Sequence, residues 1–68
     1  MIDARGLSCP EPVILLRGEM QKHPADHYEI SVDNRVSVEN ISRLAAKEGF
    51  TTDVRQDGDV FTLRLQKA

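Results

Sequence analysis

Sixty-eight residues with 40% hydrophobic and 29% charged side chains make one small domain spanning residues 1–68. A chain of this size buries only about 60% of its unfolded surface, so chemistry is expected at an exposed loop or docking face and not in an enclosed cleft. A net charge of −2 gives no electrostatic footprint for nucleic acid or an anionic membrane. The single cysteine, Cys9, excludes an internal disulfide framework. A lone thiol, with neither a basic start nor an apolar run in the first residues, is read as cytoplasmic. The longest apolar run, Val13 to Leu16, falls far short of the roughly 20 residues that cross a bilayer.

Met1-Ile2-Asp3-Ala4 alternates apolar and polar and reads as a short strand, which Arg5-Gly6-Leu7-Ser8 turns into a loop closed by Cys9. Pro10 and Pro12 bracket Glu11, and proline is accommodated where helix amides lack partners anyway, so a helix starts at or just after this pair. It runs to about His23, before Pro24. Val13, Leu16 and Met20 share its core face, whereas Ile14 and Leu15 point away from that stripe. Gly18 inside it costs on the order of 1 kcal/mol relative to alanine.

Tyr28-Glu29-Ile30-Ser31-Val32 alternates strictly, predicting a strand with one buried and one wet face. Ser37 is the expected N-cap of a second helix whose core face is Val38, Ile41, Leu44 and Ala45, with Gly49 as a left-handed stop. Strands over 51–56 and 60–66 flank Asp57-Gly58, read as the hairpin's two-residue loop, and Phe61, Leu63 and Leu65 alternate inward. The order βαβαββ implies an α/β (α+β) two-layer sandwich. Its four-stranded mixed sheet carries both helices on one face.

Cys9 precedes the first helix, where free amides and the macrodipole favour a thiolate. With Pro10 and Pro12 lacking amide hydrogens, the donors expected to face the sulfur are those of Glu11, Val13 and Ile14. A residue before proline is pushed toward extended conformations, so Cys9 is placed outside the helix, projecting from its tip. Arg5 is expected to add a nearby positive charge, and Glu11 a partly cancelling negative one. Free cysteine is more often a small buried hydrophobe than a reactive group. The rim position brings the two readings to about even.

Asp3-Ala4-Arg5-Gly6-Leu7-Ser8-Cys9-Pro10-Glu11-Pro12 closely resembles the signature of the TusA, or SirA-like, family of sulfur carriers, marked by Cys-Pro-x-Pro at the first helix start. Length and element order extend the resemblance over nearly the whole chain. The stretches Val32-Asp33-Asn34 and Val38-Glu39-Asn40 look more like its YedF branch, which has been linked to selenium metabolism.

What the resemblance implies is a sulfurtransferase-type persulfide carrier. Cys9 takes sulfane sulfur from a donor such as a cysteine desulfurase and passes it to an acceptor protein with a reactive cysteine. No cofactor or metal is called for, and a monomer is expected. Asp3, Arg5, Gly6, Pro10, Glu11 and Pro12 become supporting residues, with loop hydrogen bonding for Asp3 and a special backbone conformation for Gly6 as their plain structural roles. Ile14 and Leu15 either dock a partner or pack against the second helix or a loop. His23 and His27 are separated by Pro24 and lack further ligands, which favours surface or capping roles over a metal site. The competing function is a noncatalytic regulatory or redox-sensing interaction module. A thiol–disulfide oxidoreductase is disfavoured because position 12, where a resolving cysteine belongs, is Pro12.

Overall fold

The computed structural model describes residues 2–8 and 10–68. Among them the order is β1 (Ile2–Asp3), α1 (Glu11–Lys22), β2 (His27–Val32), α2 (Arg35–Lys47), β3 (Phe50–Asp57) and β4 (Val60–Lys67). The strands form a sheet in the order β1-β2-β4-β3, parallel between β1 and β2 and antiparallel elsewhere. This is the mixed-sheet α+β architecture that the βαβαββ pattern implies.

The helix α1 starts where the prolines place it. Pro10 is the N-cap and Pro12 lies in the first turn, where a missing amide hydrogen breaks no intrahelical bond. At the far end His23 is the C-cap, and its backbone N–H donates to the Glu19 carbonyl at 2.8 Å. The Tyr28 hydroxyl then secures the connection to β2, donating to the His23 carbonyl and accepting from the Ala25 N–H, both at 2.9 Å. Leu16 is fully buried and Val13 and Met20 pack partly against the core, as the helical stripe predicts.

The cap of α2 corrects the assignment to Ser37. The chain leaves β2 extended at Asn34, whose side-chain oxygen accepts from the Ser37 N–H at 2.8 Å. The carboxamide therefore takes the orphan amide, the helix begins at Arg35, and Ser37 is buried inside its first turn. The expected face of Val38, Ile41, Leu44 and Ala45 is buried. Gly49, at φ +85°, ends the helix and donates its N–H to the Ala46 carbonyl at 3.2 Å.

The hairpin is shifted by one residue from its expected loop. Asp57 pairs with Val60, so the loop is Gly58-Asp59. Gly58 has φ +62° and Asp59 does not adopt a positive φ. That combination matches the II′ pattern, with glycine first, and not the I′ pattern that Asp57-Gly58 would form.

In the sheet, Tyr28, Ile30 and Val32 lie opposite Leu65, Leu63 and Phe61, and this inward face meets the helices. Burying each large aliphatic such as Leu16, Ile30, Ile41, Leu63 and Leu65 contributes about 1.5–3 kcal/mol. On the outward face Arg64 Nε meets Glu29 Oε2 at 2.9 Å. The expected wet face of β2 is interrupted at Ser31, which is only 7% exposed. It sits in register between Asp3 of β1 and Thr62 of β4.

Candidate functional site

Because β1 and β2 are parallel, the segments that follow them emerge at the same end of the sheet. The motif loop after Asp3 therefore meets the β2–α2 junction. Asp3 Oδ1 accepts from the Arg5 N–H at 3.2 Å and from Arg5 Nε at 2.9 Å, and Oδ2 accepts from the other arm of the guanidinium at 3.0 Å. Both groups are exposed. The Arg5 side-chain hydrogen bonds hold the Asp3 carboxyl at about 2, and the same contact raises Arg5. The Arg5 guanidinium is thus paired with Asp3.

Gly6 adopts φ +81°, the special conformation anticipated for it, and its N–H donates to Asp33 Oδ2 at 2.7 Å. Asp33 was not among the expected site residues. It entered the sequence reading only within the Val32-Asp33-Asn34 stretch, and its place immediately after β2 becomes informative once β1 and β2 are known to pair in parallel. Leu7 packs partly against the core and its N–H reaches the Ala4 carbonyl at 3.4 Å, giving the loop a second anchor.

Cys9 lies outside the described residues, and so does its expected placement at the helix tip. Its neighbours Ser8, Pro10 and Glu11 are exposed. The Glu11 N–H donates to the Ser8 carbonyl at 2.9 Å and the Ile14 N–H to the Pro10 carbonyl at 3.1 Å. Two of the three amides expected to face the thiol are therefore already engaged in closing the turn and starting the helix. The prolines also part company, since Pro10 is exposed while Pro12 is fully buried. Pro12 belongs to the core as well as to the motif.

Ile14 is 61% and Leu15 43% exposed, so the solvent-facing reading prevails over packing against the second helix. One flank of α1 leads into a groove of about 400 Å³ shared with α2. Pro10, Val13 and Leu44 supply its apolar lining, and Arg17, Arg43 and Lys47 its cations. A larger depression of about 760 Å³ lies near His23, His27 and Arg64, and no residue of the motif from Asp3 to Pro12 lines it. Among the described residues no cluster of side chains could hold a metal ion, and no helix is long and apolar enough to cross a membrane.

Fold and site together define a small α+β domain that offers one helix start, its preceding loop and an adjoining apolar flank to other molecules. The family described as Sulfurtransferase TusA matches residues 1–67, and the chain belongs to that family. Its role is therefore, in general terms, that of a sulfur carrier. The crystal structure of the SirA-like protein from Desulfitobacterium hafniense is similar, with a TM-score of 0.81 and 26% identity. That match covers 96% of this chain and 92% of the other. No curated protein matches significantly.

Proposed function

We propose that Cys9 accepts sulfane sulfur as a persulfide and relays it to an acceptor protein thiol in the cytoplasm. The observation that carries this reading is the exposed setting of Ser8, Pro10 and Glu11 around position 9, beside the exposed Ile14 and Leu15. Exposed neighbours of this kind leave the motif open to a second protein, and one thiol suffices for the chemistry.

In the loading step the Cys9 thiolate attacks the outer sulfur of a persulfide on a donor such as a cysteine desulfurase. A sulfur–sulfur bond forms to Cys9, the donor's own sulfur–sulfur bond breaks, and the donor leaves as a thiolate that takes up a proton. In the unloading step an acceptor's thiolate attacks the outer sulfur on Cys9, and Cys9 departs as the leaving thiolate. The sulfane sulfur changes carrier in both steps, and no external oxidant or reductant is consumed.

The contacts of the loop serve the two transfers. The Asp3–Arg5 pair and the Gly6–Asp33 bond fix the approach to the helix, so the same sulfur can be presented to two different active sites. Ile14 and Leu15 contribute apolar contact area, and the cations of the neighbouring groove suit a partner with acidic side chains.

Intact-mass measurement after incubation with a cysteine desulfurase and cysteine tests the assignment. The wild type gains the mass of one sulfur atom, reversibly with a thiol reductant, and Cys9→Ser gains none. Loading that persists in Cys9→Ser, or fails in the wild type, overturns the persulfide reading and favours a docking module in which Cys9 is incidental.

A further inference from the structure

The outer edge of the sheet opposite the motif carries a pattern that the sulfur chemistry leaves unused. β3 pairs with β4 on one side over eight consecutive residues, Phe50 to Asp57, without a bulge or proline. Its other side is the sheet edge, and such an edge presents unpaired backbone donors and acceptors at every second residue. Proteins commonly block such an edge with like charges, prolines or bulges. Here the outward-facing charges alternate in sign along the strand, Asp53, Arg55 and Asp57, and all three are exposed. Val54, between Asp53 and Arg55 on the other face, is 42% exposed.

Alternating signs make the edge complementary to its own antiparallel copy. We propose that, beyond the monomer the family resemblance implies, two copies of this chain associate edge to edge at high concentration through β3, with Val54 opposite Val54 across the two-fold axis. In this register Asp53 of each copy lies opposite Arg55 of the other, forming two symmetric ion pairs, and residues 51–57 pair throughout. Directly opposed side chains on one face of an antiparallel pair are about 4.5–5.5 Å apart at Cβ, within ion-pair reach.

The register is set by charge as much as by length. A slip by one residue would place side chains of opposite faces together and is excluded by the pleat. The nearest slips that preserve the faces bring Asp53 against Asp53 in one direction and Arg55 against Arg55 in the other. Both place like charges opposite each other, which is destabilising. Within each copy the same face already carries Glu29 opposite Arg64 and Arg64 opposite Asp53, with Arg64 bonded to Glu29 at 2.9 Å. Addition of the second copy extends the row as acid, base, acid, base. Among the described residues neither Asp53 nor Arg55 has an ion-pair partner within its own chain.

A single strand edge is a small interface, so the association is weak and concentration-dependent. It leaves the motif free, because β1 and the loop after it stand at the opposite edge of the sheet. The dimer therefore keeps the two motif loops away from the shared seam.

Sedimentation equilibrium on the full chain, run to millimolar concentration under reducing conditions, tests the proposal. A concentration-dependent dimer is expected. Arg55→Asp and Asp53→Arg, each now self-repulsive, should weaken self-association about tenfold or more while keeping the native circular dichroism. Mixing these two variants should restore the dimer as a heterodimer, since Asp then faces Arg at both pairs. In a Cys9→Ser background, Val54→Cys should form a symmetric disulfide under mild oxidation and Thr52→Cys should not. A wild type that stays monomeric at millimolar concentration, or single variants that dimerise as it does, would overturn the proposal. So would a mixture that stays monomeric. Persulfide loading of Arg55→Asp stays at the wild-type level, so the outcome is independent of the sulfur reading.

Discussion

The two prolines of the motif should separate experimentally, because one is exposed and the other is part of the core. Pro12 is less than 2% exposed and packs in the first turn of α1. Replacing it by alanine removes two ring methylenes, roughly 1.6 kcal/mol of transfer free energy at about 0.8 kcal/mol each. A further contribution of about 0.4–1 kcal/mol arises because the unfolded chain gains freedom when proline is lost. The Pro12→Ala variant is therefore expected to lose about 2–3 kcal/mol. For 68 residues the whole stability is only roughly 3–10 kcal/mol, so the loss is a large share of it. Pro10 is exposed and Pro10→Ala should cost only the unfolded-state part, about 0.4–1 kcal/mol. With a urea slope near 1 kcal/mol/M for so short a chain, the two midpoints differ by about 1–2 M. Urea unfolding followed by circular dichroism gives these values, and sulfur transfer to a fixed acceptor is measured on the same samples and normalised to the folded fraction. Pro10→Ala should then transfer slowly while remaining nearly as stable as the wild type. A Pro12→Ala variant within about 0.5 kcal/mol of the wild type would refute the packing argument, and unchanged transfer in Pro10→Ala would leave that proline as helix punctuation.

Two faces of one helix give a second contrast. Leu16→Ala should cost about 2–5 kcal/mol, because Leu16 is fully buried. Ile14→Ala and Leu15→Ala should stay within about 0.5 kcal/mol of the wild type yet slow transfer from the donor, as thermal unfolding and single-turnover kinetics would show. Large destabilisation by Ile14→Ala would mean that this side chain packs. The third prediction concerns acid. Arg5 holds the Asp3 carboxyl at about 2 against an ordinary 3.8, so the contribution of this pair is complete above the ordinary value and is lost as pH falls through about 2. Side-chain carboxyl resonances should report that midpoint in the wild type and a return toward the ordinary value in Arg5→Gln. An ordinary Asp3 midpoint in the wild type would show that the pair does not persist in solution.

Properties that depend on a few neighbouring residues were readable from the chain itself. The Pro-Glu-Pro start of α1, the buried stripe of α2, the glycine that ends it and the inward alternation of Phe61, Leu63 and Leu65 are each set by local geometry. They appear in the structure where the pattern puts them. The motif from Asp3 to Pro12 was legible for the same reason, being contiguous.

What only tertiary structure decided are the choices between chemically similar neighbours and the contacts between distant ones. Asn34 or Ser37 can each cap a helix. The extended exit from β2 selects Asn34 and leaves Ser37 buried. Gly58 can stand first or second in a hairpin loop, and the strand register puts it first. The Arg5 guanidinium has several carboxylates within the chain to choose from, and the short turn after β1 brings it to Asp3. Asp33 holds Gly6 across 27 positions of sequence only because β1 and β2 run parallel and release their following segments at one end of the sheet. Pro12 is fully buried and Pro10 exposed, a difference in burial that only the packed helix displays. Hydrophobic periodicity specifies which face of an element is buried, but the partner that meets a polar side chain depends on where the other elements come to rest.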